Sequence, residues 1–123
     1  MYLITVEGGD GSGKGEAVRI LASLANKLPF KNVHVTHEPR RHSELGKLAL
    51  KSVSVGNNTP LEEAGLFAAD RVDHSHTWIR PRLQKGDLVI SDRNIHSSLV
   101  YQGVVGDLGL DQVAKMNAAA MIP

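Results

Sequence analysis

The chain has 123 residues, 41% apolar and 22% charged, with 14 basic and 13 acidic side chains and a formal net charge of +1. Those figures describe a single globular domain over residues 1–123, large enough to bury a core unaided. The near-balance of charge argues against a nucleic-acid or membrane partner held by bulk electrostatics. The lack of cysteine excludes disulfides and thiolate metal sites and suits a reducing cytoplasm.

Tyr2–Val6 is a short apolar, β-branched run with the composition of a buried strand. It breaks into Gly8-Gly9-Asp10-Gly11-Ser12-Gly13-Lys14-Gly15, in which Gly8 and Gly13 are separated by four residues and lysine follows. Between a strand and a helix, that spacing is a phosphate cradle. Glycines let successive N–H groups turn inward, the helix start adds its positive dipole end, and Lys14 adds a mobile cation. The pattern expects Ser or Thr next, whose hydroxyl would help hold Mg²⁺, and this chain has Gly15.

Ala17, Ile20, Leu21, Leu24 and Leu28 recur at helical spacing, predicting an amphipathic helix of about 14–16 residues that Pro29 ends. Asn32–Thr36 alternates as a second strand and runs into His37-Glu38-Pro39-Arg40-Arg41. Ser43 and Glu44 open a helix to about Val53, and Gly56-Asn57-Asn58 turns the chain. Thr59-Pro60 with Glu62 and Glu63 starts a long helix that could reach Leu83, with an interruption at Pro81. Asp87–Ser91 is a third strand, buried on both faces. Helical segments over about Ile95–Gln102 and Leu110–Met121 follow, split by Gly103, Gly106 and Gly109. No run is long enough to span a membrane, and the opening residues lack the basic-then-apolar pattern of a secretion signal.

Strands alternating with helices predict an α/β fold with a parallel sheet flanked by helices, which binds ligands at the carboxyl ends of its strands. The strand ends carry Gly8–Lys14, His37–Arg41 and Asp92-Arg93, all suited to phosphate. Asp92 can hold Mg²⁺ or its water, and Arg93 can clamp a phosphate, against the plainer alternative of a salt-bridged loop. Phe67 and Arg71, four apart, present an aromatic and a cation on one helix face. Composition alone favours a core Phe67 and an Arg71 paired with Asp70 or Asp73 at the surface. The six histidines read as surface or packing residues; His74 and His76 have the wrong spacing for shared metal ligation on a helix.

Taken together, EGGDGSGKG, THEP, LFAADR and GDLVISDRNIHSSLVYQG resemble the thymidylate kinase family, P-loop enzymes that phosphorylate dTMP with ATP. The last segment is the most specific of these. The resemblance implies a P-loop kinase fold in which Gly8, Gly9, Asp10, Gly11, Ser12, Gly13, Lys14 and Gly15 hold the ATP phosphates. It implies that Lys14, Asp10 and Arg93 take part in catalysis and that Asp92 belongs to the Mg²⁺ shell. For dTMP it implies Asp10, Glu38, Phe67, Arg71, Arg93, Ser98, Tyr101 and Gln102, with Phe67 stacked on thymine and Arg71 and Ser98 on its polar edge. Tyr101 would close against the sugar.

Arg40-Arg41 stand where the family often has two glycines, which suggests positive charge moved toward the acceptor phosphate. Family members continue through another strand, a lid and a last helix, so the chain reads as the N-terminal part of such a kinase, with three of its strands. A cytoplasmic homodimer without nucleic-acid or membrane partners is the implied setting. A nucleotide-binding module without turnover and a deoxynucleoside kinase are the alternative readings.

Overall fold

The computed structural model describes residues 2–9 and 11–120, with Ile95, His96, Leu99 and Val100 described by backbone alone. Among these residues, β1 (Tyr2–Val6), β2 (Val33–His37) and β3 (Leu88–Asp92) form one parallel sheet in the order β1-β3-β2. Central β3 is sealed on both faces, as its apolar run predicts: Leu88 is 2% exposed and Val89, Ile90 and Ser91 not at all. β2 and β3 each begin one residue later than predicted. Asp92 is therefore the last strand residue, in register with Val6 and His37.

The two sheet faces have separate cores. On one, Val18 and Ala25 of α1 (Lys14–Ala25) pack on Leu88 and Ile90. On the other, Ile79 and Leu83 cover Val89, with Leu3 and Trp78 alongside. The predicted stripe on α1 is corrected here. The buried face follows Val18, Leu21, Ala22 and Ala25, while Ile20, Leu24 and Leu28 are about half exposed or more. So much of this helix is apolar that periodicity could not choose the face; the position of the sheet did. α1 also stops at Ala25, several residues before Pro29, as its last turn tightens into Lys27 N–H to Leu24 O and Leu28 N–H to Ala25 O.

α2 (Glu44–Val55) is capped by the Ser43 hydroxyl, which accepts the Gly46 N–H at 3.0 Å. Gly46 has to be glycine, since a Cβ there would sit 1.8 Å from the Arg40 carbonyl oxygen. α3 (Pro60–His74) starts with a capping box: Thr59 Oγ1 accepts the Glu62 N–H at 3.1 Å, and Glu62 accepts the Thr59 N–H at 3.0 Å. These hydrogen bonds hold the Glu62 carboxyl below its ordinary value, the backbone bond from Thr59 first.

The predicted interruption at Pro81 lies elsewhere. The helix widens into a π turn over Ser75–Ile79 and continues as α4 (Arg80–Gln84), with the Arg80 N–H reaching back to Ser75 O. Opening the turn just ahead of Pro81 relieves the clash of its ring with the preceding turn. The break predicted at Gly103 is likewise absent. α5 (Ile95–Ser98) runs on through a π turn at Leu99–Val105 and past Gly103, closed by the Gly106 N–H to Tyr101 O at 2.8 Å. α6 (Leu110–Met116) and a 3₁₀ turn (Ala118–Ala120) complete the described chain. The predicted end at Met121 lies outside it.

Candidate functional site

The glycine loop joins β1 to α1. Gly11 and Gly13 have φ of 77° and 85°, and Gly13 takes the N-cap position without any side chain capping the helix. The first-turn N–H groups of α1 thus remain available to an anion. Lys14 forms an ion pair with Asp92, bringing together two residues singled out separately in the sequence. Gly15 and Asp92 border an open groove beside β2, and Asp10 lies outside the described residues.

A second, more enclosed hollow of about 230 Å³ opens between α3, the β2–α2 loop and the segment after β3. Glu38, Phe67, Arg71, Arg93, Ser98, Tyr101 and Gln102 all line it, joined by Pro39, Val53, Glu63 and Ser97. Its floor is a buried polar network. Arg71, 3% exposed, donates from Nε to Glu38 at 2.8 Å and from Nη1 to Ser98 Oγ at 2.9 Å and Asn117 Oδ1 at 2.6 Å. Nη2 also donates to the Asn94 carbonyl at 3.3 Å. The second Glu38 oxygen faces His74 Nδ1 at 2.7 Å, and His74 Nε2 meets Thr36 Oγ1 at 2.8 Å. A carboxylate only accepts, so His74 Nδ1 donates to Glu38, while the Thr36 hydroxyl can give or take a hydrogen bond at Nε2.

Around the walls, the Arg93 guanidinium lies 5.7 Å from the centre of the Tyr101 ring. Gln102 is 4% exposed, and its Oε1 is buried without a partner among the described residues. A hollow this size falls below the range of about 300–1,000 Å³ usual for drug-sized ligands, so it suits a single heterocycle rather than a whole nucleotide.

The surface pairing of Arg71 that composition favoured does not occur. Asp70 and Asp73 instead hold Arg40, whose Nε donates to Asp70 at 2.8 Å and whose Nη2 donates to Asp73 at 2.7 Å. Ser43 adds a hydrogen bond to Asp70 at 2.9 Å. Burial works against the Arg40 charge, but the bonds to Asp73 and Asp70 outweigh it and hold the guanidinium above its ordinary value. Arg40 is thereby tied to α3, and with Arg41 it lines the open groove that Gly15 and Asp92 border.

The family model for thymidylate kinase matches residues 6–123. The chain belongs to the thymidylate kinase family. It is 39% identical over 104 residues to the thymidylate kinase of Brachyspira hyodysenteriae, covering 85% of this chain and 50% of that one. To the thymidylate kinase of Lactobacillus delbrueckii subsp. bulgaricus it is 38% identical over 122 residues, covering 97% and 57%. The crystal structure of thymidylate kinase from Ehrlichia chaffeensis superposes with a TM-score of 0.86 at 30% identity, covering 99% of this chain and 69% of that one. The fold is thus that of a P-loop kinase. The chain spans about half the length of the curated thymidylate kinases it matches.

Reading the sequence missed the residues that support this cavity from behind. His74, set aside as a packing residue, is fully buried against Glu38, and Asn117 reaches Arg71 from beyond α6. Phe67, Arg71 and His74 lie at i, i+4 and i+7, so continuing the Phe67–Arg71 face by one more turn would have found the histidine. For Asn117 the sequence offers no local signal.

Proposed function

We propose that this chain carries the nucleotide-binding part of an ATP-dependent dTMP kinase, with residues 1–123 as one kinase domain. The observation that carries the reading is the cavity wall that sets the Arg71 guanidinium, a donor, and Gln102 Oε1, an acceptor without a partner among the described residues, beside the ring of Phe67. A thymine ring offers a carbonyl oxygen and a ring N–H along one edge, which is the complementary set, and its flat face suits Phe67. Ser98 Oγ accepts from Arg71 and keeps its own O–H for the base. Glu38 and His74 do not touch the ligand in this reading; they fix the guanidinium plane.

In the transfer, a phosphate oxygen of dTMP attacks the γ-phosphorus of ATP in line as the bond to the ADP oxygen breaks. Lys14 leaves Asp92 for the donor phosphates, the glycine loop N–H groups cradle them, and Arg93 holds the acceptor phosphate at the Tyr101 end of the cavity. Asp10 is assigned to the loop beside the dTMP sugar and phosphate. The residues present fit Mg²⁺, which keeps most of its waters and takes one or two carboxylates plus phosphates. Asp92, at the strand end beside Lys14, would hold it, and Gly15 adds no hydroxyl. When bound, the ion supplies neutralisation of phosphate charge. A cytoplasmic homodimer without nucleic acid or membrane completes the reading; among the described residues no helix is long and apolar enough to cross a membrane.

Calorimetric titration tests the base assignment. dTMP is expected to bind and dCMP, which reverses both polar groups, to be rejected. Phe67→Ala is expected to cost about 1–3 kcal/mol of dTMP affinity and none of ATP affinity. Equal binding of dTMP and dCMP, or equal losses for dTMP and ATP, would sink it.

A further inference from the structure

Arg93 sits where a residue other than glycine rarely does, with φ of 75°. In that region Cβ crowds the backbone, and the conformation persists only where the surroundings over-determine it. Here they do. The Arg93 N–H donates to the Val6 carbonyl at 2.9 Å, and the Ser91 hydroxyl donates to the Arg93 carbonyl at 2.7 Å. The next amide, Asn94 N–H, donates to Glu7 Oε1 at 2.8 Å, while Glu7 Oε2 accepts from Ser97 Oγ at 2.5 Å. Glu7 thus ties the start of the glycine loop to Asn94 and Ser97, the residues that follow Arg93 out of its turn.

Neither residue is explained by packing or by the phosphate cradle. Glu7 is exposed, so it fills no core, and a carboxylate beside a phosphate loop repels the ligand's charge. Ser91 is a fully buried hydroxyl in an otherwise apolar strand run. The other non-glycine residue with positive φ among the described residues, Asp107, has a side chain that tolerates this region and lies on an exposed turn. Arginine has no such tolerance, and its turn is the one that brings a guanidinium over Tyr101 at the cavity.

We infer that Glu7 and Ser91 are positioning residues that clamp Arg93 in its left-handed conformation and so set its guanidinium at the phosphate end of the cavity. The inference rests on the reading of Arg93 as the acceptor-phosphate ligand. The ratio of the thymidine Kd to the dTMP Kd isolates what the phosphate contributes, and Arg93→Met sets its scale by removing the cation. Glu7→Ala, at an exposed position, is expected to shrink that ratio about five- to tenfold, because Arg93 then holds its binding conformation only part of the time. Ser91→Ala is expected to act likewise. Glu7→Gln, which keeps an acceptor for Asn94 and gains a donor for Ser97, is expected to retain most of the ratio. Thymidine affinity should hold throughout, which a merely structural role would not leave intact.

If Arg93→Met collapses the ratio while Glu7→Ala and Ser91→Ala leave it unchanged, the clamp is overturned and the proposed function stands. If Arg93→Met itself leaves the ratio unchanged, the phosphate role of Arg93 fails and the clamp falls with it. Should Ser91→Ala lose thymidine affinity or fail to fold, the exposed Glu7→Ala and Glu7→Gln pair decides the matter.

Discussion

The glycine loop and the Glu38–Arg71 cavity are built on opposite principles. The loop presents backbone: glycines with left-handed φ, an uncapped helix start, and one side-chain ion pair between Lys14 and Asp92. The cavity presents side chains, drawn from positions as distant as Thr36 and Asn117 and locked by buried hydrogen bonds. A backbone cradle can accept any phosphate, since N–H groups and a dipole respond to charge and not to identity. A side-chain cavity with fixed donors and acceptors can tell one heterocycle from another, because a mismatched ligand leaves buried groups unpaired. In the function proposed above, generic grip and specific recognition are thus separated, and Arg93 stands at their junction.

That division predicts very different responses to mutation. Glu38→Ala should have the largest effect, costing about 3–5 kcal/mol of stability in urea denaturation, because it leaves a buried guanidinium and a buried histidine without their shared carboxylate. A loss below about 1 kcal/mol would mean that the cavity floor is not a fixed structure, and the contrast with the loop would collapse. Lys14→Ala should leave stability nearly unchanged and weaken ATP binding by about 1.5–3 kcal/mol, the value of a hydrogen bond to a charged group. Calorimetry with ATP and dTMP in parallel checks this, and a comparable loss for dTMP would show that the two regions are not separable.

The smallest effect concerns the scaffold away from both. Asp87, just before β3, faces His34 Nε2 at 2.9 Å. That hydrogen bond holds the Asp87 carboxyl below its ordinary value of 3.8. A lowered carboxyl pKa stabilises the fold above the ordinary value, and the contribution is lost as pH falls through the lower folded value. Stability should therefore rise with pH across that acid window, and Asp87→Asn should flatten the rise while leaving nucleotide affinity at neutral pH intact. An unaltered acid profile in the variant would move the acid sensitivity to other carboxylates.

Much of this molecule can be read along one dimension. The loop, the capping box at Thr59, the N-cap at Ser43 and the three strands depend on neighbours a few positions apart, and local spacing reports them. The family motifs likewise name Phe67, Arg71, Ser98, Tyr101 and Gln102 as one set. What the sequence could not determine were choices among equivalent local options. Either apolar stripe of α1 was a candidate for burial until the sheet selected Val18 and Ala25. Asp70 and Asp73 lie within two residues of Arg71, yet they serve Arg40, while Arg71 takes Glu38 from 33 positions away. Ion pairs and buried networks are decided by which elements pack together, and a chain that folds in three dimensions brings distant partners closer than its neighbours in sequence.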